Sequence, residues 1–291
     1  MRLKCFCLLL AILATGLISE SQDRFRFAIV GDTGTGGSGE YQVAEKLTES
    51  VKEFPFGLVL MLGDNIYGGE TPSDFRKKFE KPYQGLLAAG VKFYATLGNH
   101  DEPPRQIDYK PFNMGGKRYY SFKPKADIRF FSLDSNYMDP EQLEWLEKEL
   151  KASGSDWKIV FFHHPIYSSG EKHGSNLELR KVLEPVMIRN GVDVVLAGHE
   201  HFYERIKPQK GINYFIIGSS AKLREGNIAK SDLTSKGFDA DNVFMLADIV
   251  GDNMTFRVIT RKGTVVDSGT VRRAERTRKQ GSGLSSELSP K

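Results

Sequence analysis

Residues 58–67 read Leu-Val-Leu-Met-Leu-Gly-Asp-Asn-Ile-Tyr. An apolar run too short for a helix, followed at once by glycine and a carboxylate, describes a buried strand that leaves its sheet through a sharp turn carrying polar groups. The same pattern recurs at 25–30, 91–97, 159–162 and 192–197. These runs stop at Gly31-Asp32, at Gly98-Asn99-His100-Asp101, at His163-His164-Pro165 and at Gly198-His199-Glu200-His201. Helical periodicity fills the gaps, at 41–54, 73–87, 140–151 (with Asp139 as N-cap) and 176–189. Strand and helix alternate, so the fold class is α/β, and the loops after the strand carboxyl ends gather on one sheet edge, where ligands bind.

A second set of runs, at 119–122, 128–133, 214–217, 243–250, 254–260 and 264–271, alternates more and is linked by turns. Asp252-Asn253 and Lys262-Gly263 are hairpin signals. Together the two sets predict a four-layer sandwich: two mixed β-sheets packed face to face and flanked by helices.

A length of 291 residues with 40% apolar side chains is enough to bury a large core, and one catalytic domain over 22–271 is expected. Ahead of it, Arg2 and Lys4 precede an apolar run from Cys5 to Ile18 and small residues at Ser19 and Ser21. This is the pattern of a signal peptide over 1–21, shorter than a membrane span and the only apolar run of that kind, so a secreted or periplasmic protein without a membrane span is expected. Both cysteines, Cys5 and Cys7, lie in this leader, leaving the mature chain without disulfides or thiolate ligands. The formal charge of +4 is concentrated in residues 272–291, expected to be a disordered basic tail, while the body is close to neutral. Nucleic acid as a partner is therefore not indicated.

All six histidines, His100, His163, His164, His173, His199 and His201, follow predicted strands. One such histidine is usually a surface or hydrogen-bonded side chain. Six of them, with carboxylates, an amide and a phenol at aligned strand ends, describe a metal site. Bland readings suit other features: Trp145 belongs to a helix core face, Tyr119 and Tyr120 pack or line a rim, and the glycines of 31–37 serve a ligand loop because the Lys-Ser/Thr of a nucleotide loop is missing.

The ordered series Gly31-Asp32, Gly63-Asp64-x-x-Tyr67, Gly98-Asn99-His100-Asp101, Val160-x-x-His163 and Gly198-His199-x-His201 resembles the purple acid phosphatases of the calcineurin-like metallophosphoesterase superfamily. It spans about residues 25–206, and Tyr67 distinguishes it from the wider superfamily. The resemblance implies that Asp32, Tyr67 and His201 bind one metal, that Asn99, His163 and His199 bind a second, and that Asp64 bridges them. It implies a dinuclear centre of Fe(III) with Fe(II), Zn(II) or Mn(II), the phenolate and carboxylates suiting the ferric ion. The anionic charge of the ligands falls short of that of such a pair, leaving a positive site for a small-molecule phosphate ester. Hydrolysis of phosphate monoesters by a metal-bound hydroxide follows. His100 would donate a proton or contact phosphate with Asp101 orienting its ring, and His164 and His173 are further catalytic candidates. A phosphodiesterase or nucleotidase on the same site is the enzymatic alternative, and a non-catalytic binding protein of the same fold the other. The sequence leaves the oligomeric state open.

Overall fold

The computed structural model describes residues 24–273, so the expected leader, and residues 274–291 of the expected tail, lie outside the described residues. One sheet has the order β13-β12-β11-β1-β2-β3, built from β1 (Arg24–Val30), β2 (Leu58–Met61), β3 (Lys92–Ala95), β11 (Val243–Val250), β12 (Asn253–Thr260) and β13 (Val265–Arg272). The other has the order β10-β8-β9-β7-β6-β5-β4, from β4 (Tyr120–Lys125), β5 (Ile128–Ser132), β6 (Trp157–Phe162), β7 (Val194–Ala197), β8 (Tyr203–Ile206), β9 (Asn213–Ile217) and β10 (Thr234–Phe238). Strands β1, β2 and β3 run parallel, as do β5, β6, β7 and β9, and antiparallel strands complete each sheet. Both sheets are mixed, as the sequence implied.

Period-two alternation shows how the layers stack. In β6, Ile159 and Phe161 join the core between the sheets, while Val160 and Phe162 face the opposite way and join Leu146, Leu150, Leu183 and Met187. Those partners come from α5 (Pro140–Ala152) and α6 (Leu177–Arg189). On the first sheet, α1 (Ser38–Ser50) buries Val43, Ala44 and Leu47. Between the sheets, Phe27 meets Phe130 edge-on at 5.2 Å, and Phe215 meets Phe256 at 5.0 Å. Such aromatic pairs add directional attraction to the burial. Asp139 accepts from Gln142 N at 2.7 Å, so the expected N-cap of α5 is in place.

Three expectations change. The helix predicted over 73–87 is broken into α2 (Pro72–Phe75), a π-turn at Arg76–Glu80 and α3 (Gln84–Ala88). The break turns Phe79 and Tyr83 together onto Phe93, where all three are fully buried. The short α4 (Pro103–Gln106), β8 and β10 were not anticipated. The body also extends past 271: β13 includes Arg272, and Arg273 donates to Ser155 O at 2.7 Å and pairs with Asp252. The boundary of the expected tail therefore shifts at least to 274.

Candidate metal centre

Each sequence-predicted site residue except His173 lies within six residues of a strand exit on one edge. Asp32 and Asp64 follow β1 and β2 with φ of 55° and 50°, and His199 follows β7 with φ of 70°. Left-handed backbone costs a non-glycine residue about 1–2 kcal/mol, and such strain concentrates where a side chain must be aimed. The neighbouring glycines allow the loops to close. A Cβ on Gly98 would lie 2.2 Å from both the Asp64 amide nitrogen and its Oδ1, and one on Gly198 2.6 Å from Asp32 Oδ2.

The side chains converge. Tyr67 donates its hydroxyl to Asp64 Oδ2 at 2.8 Å, with Asp32 Oδ1 at 3.2 Å and His201 Nε2 at 3.4 Å from the same oxygen. His163 Nε2 lies 3.0 Å from Asn99 Oδ1, 3.1 Å from His199 Nδ1 and 3.4 Å from Asp64 Oδ1. His163 Nδ1 sits 2.9 Å from the Leu62 carbonyl, an acceptor only, so Nδ1 holds the proton and Nε2 presents its lone pair to the cluster. Backbone donors complete the carboxylates: His199 N to Asp32 Oδ2 at 2.9 Å and His100 N to Asp64 Oδ1 at 3.0 Å.

The electrostatics are those of a cation site. Burial, then the charge of Asp64, pushes the Asp32 carboxyl well above its usual range. Burial and the two carboxylates push the Tyr67 phenol up as well. Burial lowers all three imidazoles, His163 strongly, His199 to about 2 and His201 to about 3, with neighbouring imidazoles adding to the effect at His163 and His199, and Arg224 and Lys222 at His201. Two crowded carboxyls beside neutral imidazoles have no charge partner among themselves. A bound cation supplies one, and oxygen, phenol and imidazole donors suit iron, zinc or manganese. Donor atoms of Asp32, Asp64 and His163 lie within 4.8 Å of one another, and so do those of His163, His164 and His199.

The other predicted residues divide. The His100 ring is 4.9 Å from that of Tyr67, at the exposed side of the cluster. His164 sits 4.5 Å from the His199 ring, and its Nδ1 meets Ser135 Oγ at 2.9 Å. His173 is not at a strand exit, since it lies well along the loop after β6. That loop folds back and sets the His173 ring 4.3 Å from that of His199, tilted by 45°. Asp101 takes a different role from the one expected. Its carboxylate accepts from the amides of Asn65, Ile66 and Gly98 and from Gln106, so it ties two ligand loops together rather than orienting the His100 ring. Tyr120 is buried and donates to Ala95 O, while Tyr119 packs on a half-buried Trp145.

Sequence reading missed three neighbours. Glu200, the fully buried residue between His199 and His201, accepts from Gly174 N at 2.7 Å and faces Arg224 at 3.7 Å, which anchors the loop bearing His173. Its place inside Gly-His-x-His was the available signal. Lys222 sets its ammonium 4.2 Å from the Tyr67 ring centre, and Arg224 N binds His201 O at 2.9 Å. The segment carrying both follows β9 and lacks a motif.

A two-sheet α/β sandwich that gathers carboxylates, imidazoles, an amide and a phenol at one edge is the build of a metal-dependent phosphoesterase. Residues 25–203, more than half of the chain, match the calcineurin-like phosphoesterase family, and the chain belongs to it. It is 28% identical to the human tartrate-resistant acid phosphatase type 5, over 73% of this chain and 78% of that protein. Among solved structures, a purple acid phosphatase from yellow lupin seeds superposes with a TM-score of 0.72 at 19% identity, covering 87% of this chain and 54% of that one. The Plasmodium protein GAP50, described as the anchor in the inner membrane complex, superposes with a TM-score of 0.75 at 19% identity, covering 87% and 90%. At these identities the superpositions speak for the fold. No helix among the described residues is long and apolar enough to cross a membrane.

Proposed function

We propose that this chain is a phosphate monoesterase whose dinuclear metal centre is held by Asp32, Tyr67 and His201 on one ion and by Asn99, His163 and His199 on the other, with Asp64 between them. The observation that carries the reading is the meeting of all seven side chains at one edge, with the Tyr67 hydroxyl in reach of Asp32, Asp64 and His201. The phenol and carboxylates suit Fe(III) for the first ion, and the imidazoles and amide suit Fe(II), Zn(II) or Mn(II) for the second. When bound, such a pair supplies Lewis acidity to phosphoryl oxygens and lowers the pKa of water.

The residues themselves orient the donors and handle protons. Leu62 O fixes the His163 tautomer, and the His199 amide holds the Asp32 carboxylate in one rotamer. On this reading His100, beside Tyr67 on the exposed side, would contact a phosphate oxygen, and His173, beside His199, would give a proton to a departing alkoxide. His164, pinned by Ser135, serves as a positioning neighbour or an alternative donor. The leader pattern at 1–21 supports a secreted or periplasmic site of action.

The test is metal analysis of purified full chain together with hydrolysis of p-nitrophenyl phosphate and its bis-aryl diester from about pH 4 to pH 8. Two metal ions per chain and faster monoester turnover are expected. Faster diester turnover moves the assignment to a phosphodiesterase. Neither metal uptake nor turnover would favour the binding-protein reading, which the likeness to the Plasmodium anchor brings forward.

A further inference from the structure

We propose that Lys222 binds substrate at this site and, with Arg224 and Lys172, fits it to phosphate esters carrying a second anionic group beside the one hydrolysed, organic diphosphates first among them. The inference rests on the phosphoesterase reading above and names its substrate class.

The segment after β9 is laced across the cluster by its backbone. Ser220 N donates to Gly31 O at 3.1 Å, Lys222 N to Asp32 O at 3.3 Å and Arg224 N to His201 O at 2.9 Å. Those three bonds fix alternate residues against two loops of the site, so the position of the Lys222 side chain over Tyr67 is set by the fold rather than by its own flexible stem. Every other lysine of the described residues that is not solvent-exposed has an acidic or carbonyl partner: Lys46 with Glu49, Lys78 with Asp74, Lys125 with Asp127 and Lys158 with Asn190 O. Lys222 is the exception. Its ammonium rests on an aromatic face, with no carboxylate within ion-pair distance among the described residues.

A half-buried ammonium without a counter-ion is costly unless an anion comes to it. Arg224 is only partly satisfied: it pairs with Glu200 at 3.7 Å, beyond hydrogen-bond length, and its Nη1 makes no hydrogen bond. Lys172 adjoins His173 on the exposed loop that Glu200 anchors. These cations lie on the Tyr67, His201 and His173 side of the cluster. On the Ser135 side the cation, Arg118, is already paired with Asp134 and Asp139. One phosphate group is answered by the metal pair, so donors displaced to one side serve oxygens one bond further out, as in a diphosphate. Besides Asp32 of the cluster, acidic groups near this segment are Glu200, beside Arg224, Asp239, which accepts from Gly226 N at 2.8 Å, and exposed Glu225, and none of them is ion-paired with Lys222.

The test compares the full-length, metal-loaded protein with Lys222→Met and Lys222→Arg, using calorimetry to measure binding of orthophosphate and of imidodiphosphate, a diphosphate that resists hydrolysis. The wild type should bind imidodiphosphate more tightly than orthophosphate. Lys222→Met should cut that advantage roughly ten- to a hundredfold, the worth of one charge-assisted hydrogen bond, and Lys222→Arg should restore most of it. An equal loss for both anions, or no loss, overturns the proposal. Failure of the same wild-type preparation to hydrolyse p-nitrophenyl phosphate counts against the hydrolase reading alone, because both binding constants are measured without turnover.

Discussion

Replacing Asp64 by Asn should change stability in opposite directions with and without metal. Donor atoms of Asp32, Asp64 and His163 lie within 4.8 Å of one another. Two unit charges at that separation repel by about 3 kcal/mol at an effective dielectric constant of about 20. Burial and the charge of Asp64 push the Asp32 carboxyl up, which favours its protonated form and relieves part of this repulsion. The amide keeps an oxygen for the His100 N–H but meets the Tyr67 hydroxyl less well, at a cost of about 1 kcal/mol. In chelator, Asp64→Asn should therefore gain roughly 1–2 kcal/mol, raising Tm by about 2–8 °C for a domain of this size. With metal at about a hundred times its dissociation constant, the wild type gains about 2.7 kcal/mol from binding, and a variant lacking the bridging carboxylate forfeits most of it. Its Tm should fall below that of the wild type. Thermal melts of both proteins, in chelator and in zinc or manganese, read the crossing directly. A variant that is destabilised to the same extent in both conditions would show Asp64 to be a structural hydrogen-bond acceptor and would refute the cation-site reasoning.

Tyr67→Phe, loaded with iron, should be colourless where the wild type shows a purple or pink charge-transfer band; a visible band of full strength in the variant would mean that another group binds the ferric ion. Glu200→Ala leaves Arg224 without its buried partner and Gly174 N without its acceptor, so it should cost about 3 kcal/mol and speed hydrogen exchange at Gly174. Turnover should fall with it while metal stoichiometry holds, which separates loss of the His173 loop from loss of ligands. Gly98→Ala drives a methyl group into the Asp64 backbone and carboxylate. Urea melts should show about 3 kcal/mol or more of destabilisation, and metal analysis a loss of bound ion.

What was legible in the sequence was what is local along the chain. A candidate ligand that closely follows a strand is carried to the edge by the strand itself, so Asp32, Asp64, Asn99, His163, His199 and His201 could be placed from their own neighbours. The two sheets were legible because continuous apolar runs and alternating ones mark different degrees of burial, as β6 and β12 show with fully buried and alternately exposed faces. Strands β8 and β10 gave no such signal: β10 reads Thr-Ser-Lys-Gly-Phe and is placed by pairing with β8. The helix over 73–87 broke because filling the space against Phe93 outweighed regular backbone bonding. The same division explains the site. Asp101 was assigned to His100 because it is the next residue, yet its donors come from Asn65, Ile66 and Gln106, brought near only by folding. Lys222 was invisible for the same reason, since its role depends on lying over a tyrosine 155 positions away. Residues that would hold the ions are written into strand exits, whereas residues that would choose the substrate sit on the segment laid across those exits. Specificity is therefore the part of the proposed chemistry that a motif cannot carry.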